Sequence, residues 1–310
     1  MKVVSIFSGG GGMDLGFKKA GVEIIFVNDI DKQACETYEK NFKIKPILSD
    51  IRKIKKFPKA DILIACNPCQ GFSEIGLREE NDPRNTLYKE IFRCLRQVKP
   101  KCVVMENVIG LMKLYKGKFF KQILNNFKRL GYDVKWQILN AKDYGVPQDR
   151  KRIFIVATRK KLNLDYQFPK VSHGTKSKPY VTLRDAISDL RKPKETEYCL
   201  YKSWSFFYLS RNRRRKWNEV SFTIQSLAGN IPLHPSCPPM KFIEEDRYVF
   251  TKSDKHYRRL STLECARIQT FPDSFKFVGA KTSQYRIIGN AVPPLLAKKI
   301  AKSVLKTLDN

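Results

Sequence analysis

Short, almost wholly apolar runs alternate with longer amphipathic stretches through the first half of the chain. Runs at residues 3–7, 23–27, 47–48, 62–65, 102–106, 133–139 and 153–157 predict strands. Between them, residues 32–41, 87–99 and 118–130 carry apolar side chains at helical spacing. Several strand runs show no polar alternation, as expected when helices cover both faces of a sheet. The pattern predicts an α/β fold built from βαβ units on a mostly parallel sheet.

The character changes after about residue 169. Residues 170–258 are richer in Pro, Ser and aromatic side chains, hold dense basic clusters and lose the βα alternation. Regularity returns at residues 261–269, where Ser261 and Glu264 have the spacing of a capping box. Residues 294–308 read as a Lys-rich amphipathic helix. The organisation expected is a catalytic, cofactor-binding domain of residues 1–170 plus 282–310, with a smaller domain at 171–281 inserted before its end.

Charge narrows the partner. Sixty Lys and Arg stand against thirty Asp and Glu, a net +30 over 310 residues. Such a field attracts polyanions, so nucleic acid or an anionic membrane surface lead, although basic residues spread over every face would give the same count. No run approaches the roughly 18 apolar residues of a membrane span, and the apolar start is too short for a secretory signal. The eight cysteines are scattered, with only Cys66 and Cys69 close together. That usage fits a reducing cytoplasm and free thiols.

The first strand runs into Phe7-Ser8-Gly9-Gly10-Gly11-Gly12-Met13-Asp14. Glycines there permit a tight turn and let backbone N–H groups approach a ligand. Asp29 ends the second strand, where a carboxylate can accept from both hydroxyls of a ribose. The spacing is not that of a dinucleotide site and no partner for a pyrophosphate is evident, so a nucleoside cofactor without phosphates fits better; a Gly-rich turn that merely packs is the alternative. Asp50, after the third strand, can take an adenine amino group or simply cap a helix.

Cys66-Asn67-Pro68-Cys69 follows the fourth strand and supports three readings. Zinc needs further ligand pairs, and His173, His234 and His256 are isolated in sequence. A redox Cys-x-x-Cys is the second. The third is a single nucleophilic thiolate, Cys69, on a loop stiffened by Pro68. Glu106, at the end of an apolar strand, is placed to act as a buried proton donor. Gln148, Arg150 and Arg152 alternate into the last strand and can share a face.

In order, FSGGGGMDLGF, the Asn-Asp after strand two, SDI at 49–51, PCQGFS, ENV, QDRKR, RRLSTLECARIQTFPDSF at 258–275 and IIGNAVPP at 287–294 resemble the cytosine-C5 DNA methyltransferase family of bacterial restriction–modification systems. The resemblance covers nearly the whole chain. One departure is Cys66-Asn67, where the family usually has Gly-Pro. The resemblance implies the Rossmann-like fold of S-adenosylmethionine-dependent methyltransferases with a target-recognition domain, and S-adenosylmethionine as cofactor. It implies Cys69 adding to carbon 6 of a flipped-out cytosine, Glu106 at N3, and Arg152 with Arg150 holding the base and its phosphate. It also implies Phe7, Gly9, Gly10 and Gly12 lining the cofactor loop and Asp29 on the ribose. Ile30 is implied to stack on adenine, Asp50 and Ile51 to flank the purine, and Asn290 to close the methionine end. Gln70 and Ser73 are implied at the DNA.

The inserted domain is expected to read DNA. Residues 201–217 interleave aromatic side chains with Arg211, Arg213, Arg214 and Arg215, suited to guanine contacts and to wedging a duplex. Residues 210–225 and 232–235 are similar to the recognition region of the GGCC-specific subgroup, which implies Arg211 and Arg213 at guanines and Phe207 as the wedge. Residues 227–230, Leu-Ala-Gly-Asn, supply no Arg where that subgroup has one. The resemblance thus implies a cytoplasmic, nucleoid-associated monomer acting on double-stranded DNA, protecting it from a cognate endonuclease. A tRNA cytosine methyltransferase and a catalytically silent DNA binder are the alternatives. The former is expected to show Pro-Phe-Thr and Cys-Phe-Thr motifs absent here; the latter does not need Cys69, Glu106 or Arg152.

Overall fold

The computed structural model describes residues 1–68, 86–194 and 204–309. The chain folds as two compact units, one of residues 1–140, 151–171 and 294–310, the other of residues 141–150 and 172–293.

The first unit holds a seven-stranded sheet of β1 (Lys2–Ile6), β2 (Glu23–Asp29), β3 (Ile47–Leu48), β4 (Ile62–Ala65), β5 (Cys102–Asn107), β6 (Tyr132–Asn140) and β7 (Lys151–Arg159). Their order is β3-β2-β1-β4-β5-β7-β6. Pairings from β3 to β5 are parallel, and β7 runs antiparallel between β5 and β6. All seven expected strands are present, each within two residues of its expected ends. The unit's helices are α1 (Gly12–Lys18), α2 (Lys32–Phe42), α3 (Tyr88–Val98), α4 (Gly110–Lys113) and α5 (Lys118–Arg129). The central strands β1, β4 and β5 are buried almost throughout, because helices cover both faces. Val4, Leu63 and Val103 from the sheet meet Ile91, Leu95, Ile123 and Phe127 from α3 and α5 in one core.

The second unit carries α6 (Leu183–Ile187), α7 (Phe206–Leu209), the hairpin of β8 (Met240–Glu244) and β9 (Arg247–Phe250), α8 (Thr262–Ile268) and α9 (Lys281–Asn290). Helix α10 (Pro294–Asp309) returns to the first unit. It packs on α1 so closely that a Cβ on Gly16 would lie 2.4 Å from the Ala297 Cβ. The capping box at Ser261 and Glu264 forms with both of its hydrogen bonds.

The compact units differ from the sequence-based division in two places. Residues 141–150, between β6 and β7, belong to the second unit, and so does α9. The physical reason is a buried polar hub. Gln148 accepts from the Ile224 N–H at 2.8 Å and donates to Gln269 Oε1 at 2.9 Å. Gln269 in turn donates to the Ile288 carbonyl, and Gly289 leaves no room for a side chain beside Gln225. Polarity along the sequence gives no sign of these long-range partners.

Candidate active site and nucleic-acid interface

In the first unit, β1, β4 and β5 end side by side, with Ile6 level with Ala65 and Ala65 level with Met105. Loops leaving the carboxyl ends of parallel strands are where ligands bind in such sheets. Three of the expected motifs stand there.

The first is the glycine loop. Phe7 (φ 55), Gly9 (φ 53) and Gly11 (φ 87) all adopt left-handed backbone before α1 starts at Gly12. For a residue as bulky as Phe this conformation is strained, and such strain collects at functional turns. The Gly9 N–H donates to Asp29 Oδ2 at 2.7 Å, and the Asp31 N–H to Asp29 Oδ1 at 2.9 Å. The carboxylate is therefore oriented at the tip of β2. Nothing lies within 4 Å of where a Gly9 Cβ would be, so the loop faces open space. Ile30 is 68 % exposed beside it. An aimed carboxylate, an open glycine cradle and an uncovered flat apolar side chain fit a nucleoside. Gly10 and Gly12 are buried and shape the turn from behind.

Asn28 was not singled out by the sequence, although it precedes the ribose candidate. It is buried, and its Nδ2 donates to the Ile47 and Ser49 carbonyls at 2.8 and 2.9 Å. This ties β3 to the end of β2, the place where Asp29 is needed. Asp50 takes the cap that the sequence offered as its alternative: it caps the turn at Ile51–Lys53 and pairs with Arg52, whose hydrogen bonds hold its carboxyl down to about 2. The Ile51 side chain lies in the core. Asn290 is exposed at the end of α9, in the second unit.

The second motif is the entry to the nucleophile loop. Cys69, Gln70 and Ser73 lie outside the described residues; Cys66, Asn67 and Pro68 lead to them. Burial pushes the Cys66 thiol well up, with Glu106, Asp14 and Asp29 adding to the shift, so it stays protonated. Asn67 is buried, and Asn107 Nδ2 donates to its carbonyl at 3.3 Å and its Oδ1 at 3.4 Å. The Val108 N–H fixes the Asn107 side chain at 2.9 Å. The residue that replaces the family's usual Pro thus anchors the loop to the end of β5.

The third motif is Glu106 with Arg152. Glu106 is the last residue but one of β5 and is buried, and its carboxylate Oε1 lies 3.2 Å from Arg152 Nε on the antiparallel β7. Arg150 is buried in the second unit, donating to the Ile224 and Gly289 carbonyls at 3.2 and 2.9 Å. The expectation of three side chains on one face assumed a strand through 148–152, but β7 starts only at Lys151.

In the second unit, Arg213 is also spent internally. Its Nε donates to the Tyr208 carbonyl at 2.9 Å and its Nη2 to the Phe207 carbonyl at 3.1 Å. Burial lowers its pKa to about 10. It closes the end of α7 and offers no fork to a guanine, contrary to the sequence reading. Arg211 is exposed, and its guanidinium lies 5.7 Å from the Phe207 ring centre. Phe207 is partly exposed on α7.

Among the described residues no helix is long and apolar enough to cross a membrane. The profile of the C-5 cytosine-specific DNA methylase family matches residues 1–306. The chain is 41 % identical to the Type II methyltransferase M.BspRI of Lysinibacillus sphaericus, covering 97 % of this chain and 81 % of that protein. It is 43 % identical to the Type II methyltransferase M.FnuDI of Fusobacterium nucleatum, covering 99 % and 95 %. Among solved structures, the Entamoeba histolytica methyltransferase EhMeth shares the fold with a TM-score of 0.74 at 19 % identity, over 100 % of this chain and 99 % of that one. This chain belongs to the C-5 cytosine-specific DNA methylase family.

Proposed function

We infer that the protein methylates carbon 5 of a flipped-out cytosine in double-stranded DNA, with Cys69 as nucleophile and Glu106 and Arg152 as its partners. The observation that carries this reading is the convergence, at adjoining strand ends of one sheet, of an open nucleoside cradle, the anchored entry to the Cys69 loop and the Glu106–Arg152 pair. Enzymes of this kind use S-adenosylmethionine, which supplies an electrophilic methyl group when bound. Phe7, Gly9, Gly10 and Gly12 would form its loop, Asp29 would take the ribose hydroxyls and Ile30 would cover the adenine.

Cytosine carbon 5 is a poor nucleophile. Addition of the Cys69 thiolate to carbon 6 pushes electron density onto carbon 5, and a hydrogen bond from Glu106 to N3 stabilises the charge that develops. Arg152 holds both Glu106 and the base edge. After methyl transfer, loss of the carbon 5 proton expels the thiolate. The base must leave the stack first, at a cost of a few kcal/mol. Arg150 supports the site indirectly by fixing its own segment.

The second unit reads the target, with exposed Arg211 as the guanine contact and a short GC-rich site as the expectation. The similarity of residues 210–225 and 232–235 to the GGCC-specific subgroup supports this, and the missing Arg at 227–230 separates the chain from that subgroup. Likeness to Type II methyltransferases supports a role beside a cognate endonuclease. Incubation with methyl-labelled cofactor and genomic DNA, followed by base-resolution mapping, tests the function. Label at carbon 5 of cytosine in one short sequence is expected; label only in tRNA, or none, overturns it.

A further inference from the structure

Resting on that reading, we propose that Phe206 is the ring that enters the duplex beside the extruded cytosine, and that Phe207 is its brace. Helix α7 is a single turn held on every side. Ser205 caps it by accepting from the Tyr208 N–H at 3.1 Å. Tyr208 is fully buried, and its hydroxyl donates to the Ile231 carbonyl at 3.0 Å. Arg213 takes the carbonyls of Phe207 and Tyr208 that a helix end leaves without partners. The rings of Trp204 and Tyr208 touch, 5.0 Å between centres, and Arg259 lies over both, 4.1 and 4.6 Å from their centres, while donating to the Gly229 carbonyl. Arg213 lies 4.9 Å from the Tyr208 ring centre and 5.6 Å from that of Phe207.

A turn fixed in this way cannot tuck its outer side chains inward. Phe207 is flanked by Arg211 and Arg213 at 5.7 and 5.6 Å. Phe206 is 74 % exposed and contacts no ring or cation among the described residues. It stands one residue before the brace and five before the exposed guanidinium of Arg211. A rigid, uncovered aromatic ring next to a surface cation matches stacked bases flanked by phosphate. One ring stacked on a base strengthens binding by about 5- to 150-fold.

The test uses full-length protein, a duplex bearing the mapped site, and the same duplex with its target cytosine mispaired. Phe206→Ala is expected to weaken binding to the paired duplex at least tenfold, and to fall within about twofold of the unsubstituted protein on the mispaired one. A mispaired base is already partly unstacked, so it needs no wedge. Phe206→Trp is expected to show emission quenched by the paired duplex, relative to the unsubstituted protein. Phe207→Ala is expected to lower the melting temperature and to impair both duplexes alike. Equal losses by Phe206→Ala on both duplexes, unchanged emission from Phe206→Trp, or mispair rescue belonging to Phe207→Ala would overturn the proposal. These outcomes leave methylation by the unsubstituted protein intact, whereas failure of the methylation reading removes that activity itself.

Discussion

Asp14 offers a sharp test of how the glycine loop is held. It sits in the first turn of α1, fully buried, with Oδ1 accepting from the Ser5 hydroxyl on β1 at 2.8 Å. Its other oxygen has no hydrogen-bond partner among the described residues. Burial raises its pKa from 3.8 to about 6, the Ser5 and nearby Tyr38 hydroxyls opposing the shift. The fold therefore prefers the neutral acid. This contribution is complete below pH 3.8 and is lost as pH rises through about 6. At 1.36 kcal/mol per pH unit, the raise corresponds to about 3 kcal/mol of stability missing at pH 8. Asp14→Asn keeps the shape and cannot ionise. Unfolding by urea, followed at pH 4, 6 and 8, reads the difference between the two proteins. The variant should gain on the parent by about 2.5 kcal/mol between pH 4 and pH 8, most of it before pH 7. In thermal melts this corresponds to a gain of roughly 5–10 °C at pH 8 relative to pH 4. A difference that is flat with pH, or that shrinks as pH rises, would refute the account of a buried acid forced to ionise.

Other outcomes are open to direct measurement. Arg150→Met should lower the unfolding free energy by about 3 kcal/mol, because the Ile224 and Gly289 carbonyls lose a charged donor in a buried place; an unchanged denaturation midpoint would instead point to a catalytic role alone. Arg213→Ala should cost about 2–4 kcal/mol of stability by opening the end of α7, while base-resolution mapping of the surviving activity finds the same target sequence. Asn67→Ala should lower kcat more than it raises the KM for DNA, since Asn67 anchors the loop entry and binds no base; steady-state kinetics with equal changes in both would contradict this. DNA affinity measured by titration should fall steeply with added salt, as for many phosphate contacts.

Much of the molecule was legible from the order of its residues. Residues 62–65 and 102–105 are apolar throughout because they lie inside the sheet, and their register sets the segment leaving β4 beside the end of β5. The Ser261 cap was readable because its partner is only three residues away. Legibility fails where a cation's partner is a buried backbone carbonyl. Arg150 and Arg213 look in sequence like exposed cations ready for phosphate or guanine. Each instead finds backbone carbonyls, Arg150 at a separation of 139 residues from Gly289. Ile51 follows a plausible adenine ligand and yet turns into the core, because the turn capped by Asp50 rotates it inward. Local pattern records burial and periodicity; it does not record which buried carbonyls lack a donor.

The central claim is a covalent bond between Cys69 and a cytosine. The most direct measurement is mass spectrometry of the full-length protein after incubation with S-adenosylmethionine and a duplex carrying 5-fluorocytosine at the mapped site. Fluorine cannot leave as a proton does, so the account predicts a stable adduct of one DNA strand on the peptide containing Cys69, absent from Cys69→Ala. Methylation of normal cytosine by Cys69→Ala, or an adduct on any other residue, would contradict it.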